Sequence, residues 1–158
     1  MNSNNKLMQF QNNSRYFIFA ALILSIIGFL DASYLAAEHY LGKIPPCSLI
    51  AGCETVLTSK YSAIYGIPVA LGGAVYYFAA FILIFLYKEM EQKILLRLFF
   101  LFSALAFFAS LGFVYIQLFI LKAICIYCMA SAATSTLLFL LSCIMQNIKK
   151  SSSVDEAR

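Results

Sequence analysis

Residues 98–121 read "LFFLFSALAFFASLGFVYIQLFIL", an apolar run without one charged side chain. About 20 apolar residues in a helix, rising about 1.5 Å each, cross the roughly 30 Å hydrocarbon core of a bilayer. This run is long enough to do so, and it is not alone. Before it stands "IPVALGGAVYYFAAFILIFLY" (67–87) and after it "CIYCMASAATSTLLFLLSCIM" (125–145). Nearest the N-terminus is "YFIFAALILSIIGFLDASYLAA" (16–37). Membrane barrel strands are about ten residues long and alternate in polarity; these stretches do neither.

Composition agrees. Of the 158 residues, 63% are hydrophobic and 11% charged, against about 25% charged in soluble domains, and the mean hydropathy is +0.87. The expected fold class is an all-α integral membrane protein, a four-transmembrane-helix bundle at 16–146. Short mobile tails at 1–15 and 147–158 flank it. The long loop between spans one and two is expected to be extracytoplasmic.

Lysine and arginine orient the chain, because cytoplasmic loops carry their excess. With four spans both termini share a side. That side holds Lys6, Arg15, Lys88, Lys93, Arg97, Lys149, Lys150 and Arg158, the other only Lys43, Lys60 and Lys122. Both termini are therefore expected in the cytoplasm. The same bias accounts for the net charge of +4, which leaves no basic surface calling for nucleic acid. A cleaved signal peptide ending near "ASYLAAE" is the competing reading of the start; it would leave three spans.

On this topology four of the five cysteines lie on the outer side. Cys47 and Cys53 fall in the loop after span one, and Cys125 and Cys128 open span four. Cys143 lies near the cytoplasmic end and reads as a packing residue. Disulfides persist in oxidising, extracytoplasmic compartments. The C-x-x-C spacing of Cys125 and Cys128 is that of thiol–disulfide exchange proteins, and residues three apart share a helix face. At a helix N-terminus, free N–H groups and the dipole favour a thiolate, and Lys122 adds positive charge.

From Leu49 to Tyr61 apolar residues recur at helical spacing, which predicts a short amphipathic helix on the membrane surface. Laid over the bundle, it would lid a pocket and carry Cys53 towards Cys125, with Cys47 facing water. Two pairs so placed form a relay. Other readings stay open: two static disulfides, a four-cysteine zinc site, or a C-x-x-C of two small buried side chains. A static bridge within C-x-x-C closes almost no loop and stabilises little. Asp31 lies in the outer half of span one, either as a functional ionisable group or as a hydrated interfacial carboxylate.

"CSLIAGCETVLTSKYSAIYGIPVALGGAVYY" (47–77), followed by "CIYC" (125–128), resembles the vitamin K epoxide reductase family, bacterial members above all. The C-x5-C loop, the "VLTSKY" stretch, the "GIP" turn and the late C-x-x-C come in the family's order, over about 16–145. The resemblance implies that Cys125 and Cys128 are the active-site pair, with Cys128 nearer a quinone. It makes Cys47 and Cys53 the shuttle pair, Cys53 attacking Cys125 and Cys47 meeting the partner. Ser59 matches a serine that the family places near the active site, where it supports the loop or polarises the quinone; capping the surface helix is its other reading.

Two departures bear on the expectation. No thioredoxin-like domain follows before Arg158, which implies a separate periplasmic partner of thioredoxin fold, DsbA-like. Ala132 stands where the animal enzymes carry a tyrosine, which favours a plain quinone, ubiquinone or menaquinone, over vitamin K epoxide. The expected protein is a thiol:quinone oxidoreductase of a bacterial inner membrane that supports disulfide formation in exported proteins, with no metal. The alternatives are a DsbB-type quinone oxidase, whose cysteine pairs come in the reverse order, and a non-enzymatic four-span protein with structural cysteines.

Overall fold

The computed structural model describes the backbone of residues 3–43 and 52–156 and the side chains of 15–43 and 52–149. In chain order it forms helix α1 (Ser3–Tyr40), the short helix α2 (Cys53–Leu57), strands β1 (Ala63–Ile64) and β2 (Ile67–Pro68), and helix α3 (Val69–Met90). Then come α4 (Lys93–Tyr115), continued by a π-helix (Ile116–Leu121), and α5 (Ile126–Glu156). Four segments are long and apolar enough to cross a membrane: Arg15–Tyr40, Val69–Met90, Lys93–Leu121 and Ile126–Lys149. These are the four spans expected from the sequence. Beyond these spans the helical backbone runs from Ser3 in α1 and to Glu156 in α5.

Helices α1 and α4 each pack against both α3 and α5, which closes a ring of four. In lipid, helices associate through close van der Waals contact rather than by escaping water, so small residues mark the interfaces. Along α1 the buried face reads Ala21, Ser25, Gly28, Ala32 and Ala36. Gly28 is required where it stands: a Cβ there would occupy the space of the Tyr77 ring. One turn further, a Cβ on Gly73 would lie 3.4 Å from that of Ala32. The sequence also suggests Gly72 and Ala70 as part of this contact. Successive helical residues are about 100° apart, so Gly72 faces open space and Ala70 lines a cavity.

Between α4 and α5 aromatic rings make the contact. Phe107 stacks on Phe139 at 4.9 Å between centroids, and Phe100 lies 5.8 Å from the same ring. Other apolar residues of α4 point outward, Leu105 69% and Phe108 66% exposed, as a lipid-facing surface requires. Charge gathers at one end of the bundle, where Lys88 pairs with Glu89 at 3.7 Å and Lys149 with Glu91 at 4.0 Å. The cysteine pair opening α5 lies at the opposite end.

The fit of Gly28 against Tyr77 predicts that Gly28→Ala lowers stability by about 1–3 kcal/mol through overpacking. Gly72→Ala, in open space within a helix, should leave stability unchanged or raise it by up to about 1 kcal/mol. Reversible unfolding in mixed micelles measures both.

Candidate active site at the cysteine end of the bundle

The site is built around the turn that joins the third and fourth spans. After the π-helix, Lys122 takes a left-handed conformation (φ 49°), and regular helix resumes only at Ile126. Such a turn frees backbone polar groups that are best paired within the protein. Gln117, 3% exposed, does much of this. Its backbone oxygen accepts from Ala123 N–H at 3.0 Å, and its side-chain Oε1 accepts from Cys125 N–H at 2.9 Å. Cys125 then opens α5, its carbonyl accepting from Met129 N–H at 3.0 Å. Sequence reasoning passed over Gln117; the signal was a lone amide in an otherwise apolar run.

Helix α2 rests on this turn. A Cβ on Gly52 would lie 2.6 Å from Ile124 O and 2.7 Å from Ile124 N, so only a bare backbone lets the two segments approach this closely. The approach seats Cys53 beside Cys125: both are fully buried and share one cluster with Val56, against which Tyr127 and Cys128 pack. Cys53 is disulfide-bonded, whereas Cys125, Cys128 and the half-buried Cys143 carry free thiols. Cys47, the partner implied for Cys53, lies outside the described residues, as does the start of the surface helix expected from Leu49.

The described part of that helix is shorter than its spacing suggests. It ends at Leu57 because hydroxyls compete for the backbone. Thr58 Oγ1 donates to Glu54 O at 2.7 Å, Ser59 Oγ to Val56 O at 2.7 Å and Ser62 Oγ to Ser59 O at 2.8 Å. Tyr61 therefore sits in a turn. A hairpin follows that the all-α reading did not foresee: β1 pairs antiparallel with β2 across Tyr65 and Gly66, both at positive φ. Two such residues make the turn that a two-residue hairpin favours, and the glycine of Tyr65-Gly66 between Ile64 and Ile67 was its signal.

A cavity of about 140 Å³ lies under α2 and the hairpin, against the cysteine pair. Leu35, Val56, Phe113 and Leu121 give it apolar walls, while Cys128, Gln117, Ser59 and Ser131 add polar groups. The Ser59 hydroxyl donates to Val56 O, so it caps α2, and towards the cavity it offers lone pairs. Gln117 Oε1 faces a backbone N–H, which turns the NH2 of the same amide elsewhere as a donor.

Behind the pair lies a polar chain. Tyr77 OH donates to Ser131 O at 2.7 Å and lies 3.1 Å from Ser131 Oγ and 2.7 Å from Thr134 Oγ1. Asp31 on α1 is near enough to act electrostatically on Tyr77, Cys125 and Cys128. Its Oδ2 is buried without a hydrogen-bond partner, unlike the hydrated interfacial carboxylate that was one reading of the sequence.

Cys125, in the turn just before the fourth span, is held below the ordinary thiol value of 9.0, at about 7. The first cause is the Cys128 S–H, which donates to its sulfur; burial opposes this, and the backbone N–H groups of Tyr127 and Cys128 assist. These are the free donors of the first turn of α5. Cys125 is thus the readier thiolate, lying against Cys53. The arrangement suits thiol–disulfide exchange between the two clustered sulfurs, with Cys128 facing the cavity.

Residues 19–143 match the sequence model of the vitamin K epoxide reductase family. No curated protein matches the chain.

With Cys125 ionising at about 7, its reaction with a small thiosulfonate should rise through neutral pH in the reduced protein. Replacing Cys128 by alanine removes the main cause and should move the midpoint up. Mass spectrometry of the Cys125 peptide over a pH series checks both outcomes.

Proposed function

The chain belongs to the vitamin K epoxide reductase family, and on that premise we propose that it oxidises a thioredoxin-fold partner and passes the electrons to a quinone. Members of the family are membrane thiol–disulfide oxidoreductases linked to quinones. The observation that carries the reading is the burial of Cys53 with Cys125 in one cluster, Cys128 lying both against that cluster and on the cavity wall.

In the proposed cycle the partner's dithiol reduces a Cys47–Cys53 disulfide and leaves oxidised. The Cys53 thiolate attacks Cys125 in a Cys125–Cys128 disulfide, forming a Cys53–Cys125 bridge and releasing the Cys128 thiolate. Cys47 then reforms its bridge with Cys53 and leaves Cys125 and Cys128 as a dithiol. A disulfide-bonded Cys53 beside free Cys125 and Cys128 corresponds to this stage. Oxidation of the dithiol sends two electrons and two protons to the quinone. Gln117 and Ser59 bound the site, the amide NH2 as a donor to a ring carbonyl.

The membrane setting has a reason under this reading: a long-tailed quinone stays in lipid, so its reductant must open onto the bilayer. A partner near about −120 mV is itself a strong oxidant and needs a stronger acceptor to recharge it, which a quinone provides. The cysteine end then faces the periplasm of a bacterial inner membrane, with both termini in the cytoplasm.

The test is a trap. In purified Cys47→Ala, Cys53 loses its shuttle partner, and disulfide mapping should find a Cys53–Cys125 bridge. A free Cys53 beside an intact Cys125–Cys128 bridge, after a thiol reductant and then quinone, would leave the pairs unconnected and return the cysteines to a structural role.

A further inference from the structure

The cycle above, on which this inference rests, leaves a proton without a carrier. When the dithiol becomes a disulfide, the Cys128 S–H must lose its proton, and the sulfurs lie among apolar groups where free water is costly. A buried base next to the pair would solve this. Three side-chain oxygens among the described residues are buried without a hydrogen-bond partner, those of Asp31, Tyr76 and Ser103. Asp31 alone is a carboxylic acid. Its charge reaches both Cys125 and Cys128, and an ionisable group inside a span is expensive unless it works.

We propose that Asp31 Oδ2 is the proton acceptor for the Cys125–Cys128 pair, and that Tyr77 and Ser131 relay the proton from it to the cavity. Tyr77 is the link in this relay, and the transfer needs the Asp31 carboxylate to turn towards it, since Oδ2 has no hydrogen-bond partner at rest. Tyr77 lies within electrostatic reach of Asp31, and its hydroxyl is bonded to Ser131, which lines the cavity. Hydroxyls can accept one proton while donating another.

The balance is simple. The two sulfurs form one S–S bond and give up two electrons, which reduce the quinone. Two protons reach the ring oxygens. One comes from Cys128 by way of Asp31. The other comes from the Cys125 S–H or, where that thiol is already ionised, from water. The groups that act on or near Asp31 are Tyr77 from α3, and Cys125 and Cys128 at the start of α5. Of these Cys125 also titrates near neutrality, so the pH dependence must be read by difference between variants.

The experiment follows the reaction of the pre-reduced full chain with a water-soluble short-chain quinone in detergent, across a pH series. Asp31→Asn should slow quinone reduction about 100-fold, the scale of a lost general base. It should also remove the limb of the pH profile on which the wild-type rate rises as the carboxyl ionises. Asp31→Glu should restore much of the rate and the limb, and Tyr77→Phe should slow the reaction with the limb retained. An Asp31→Asn rate within about threefold of wild type, with the same profile, would overturn the proposal. So would a uniform loss that glutamate does not rescue, which marks a structural role. Should Asp31→Asn not fold, Tyr77→Phe and Asp31→Glu decide on their own: wild-type rates and profiles in both would end it. Failure of the wild type to reduce the quinone would instead overturn the parent reading, and the relay with it.

Discussion

The site depends on the hydrogen bond from Cys125 N–H to Gln117 Oε1, because it closes the tight turn between the third and fourth spans. A turn between two packed spans exposes backbone groups that must find partners, because leaving one unpaired costs several kcal/mol. Here the π-helix widens the last turns of α4, Lys122 reverses the chain, and one glutamine side chain pairs the N–H that the reversal exposes. The turn places Cys125 directly before the first residue of α5. There it gains donors for a thiolate while Cys128, one turn on, faces the cavity.

The same turn recruits the second pair. Ile124 backbone atoms form the surface on which Gly52 lies, and any side chain at 52 would lift α2 away. Cys53 is buried only because that contact is backbone against backbone. The hydroxyls of Thr58, Ser59 and Ser62 then stop α2 after five residues and turn the chain into the hairpin that leads to α3. Among the described residues, the lid over the cavity is thus held by local bonds to the backbone and a tight turn.

Deeper in the bundle, the small-residue face of α1 sets where polar groups can lie. Gly28 admits the Tyr77 ring, and Tyr77 OH thereby reaches Ser131 and Thr134 on α5. A bulkier face on α1 would hold α3 farther off and draw the Tyr77 hydroxyl away from Ser131 and Thr134. Packing and chemistry share these positions, as expected where helices associate through close fit.

Much of this protein was legible in its sequence, and the reason is the solvent. Lipid demands long apolar runs, so the four spans and the all-helical membrane class followed from hydropathy alone, and the order and spacing of Cys47, Cys53, Cys125 and Cys128 pointed to the family. Period and charge could not settle how segments far apart in the chain meet. The burial of Cys53 against Cys125, the clamp by Gln117, the choice of Gly73 over Gly72 at the helix contact, and the isolation of the buried Asp31 Oδ2 were decided by tertiary structure. Each depends on which side of a helix a residue occupies and on what another helix brings against it, and local sequence carries the first only roughly and the second not at all.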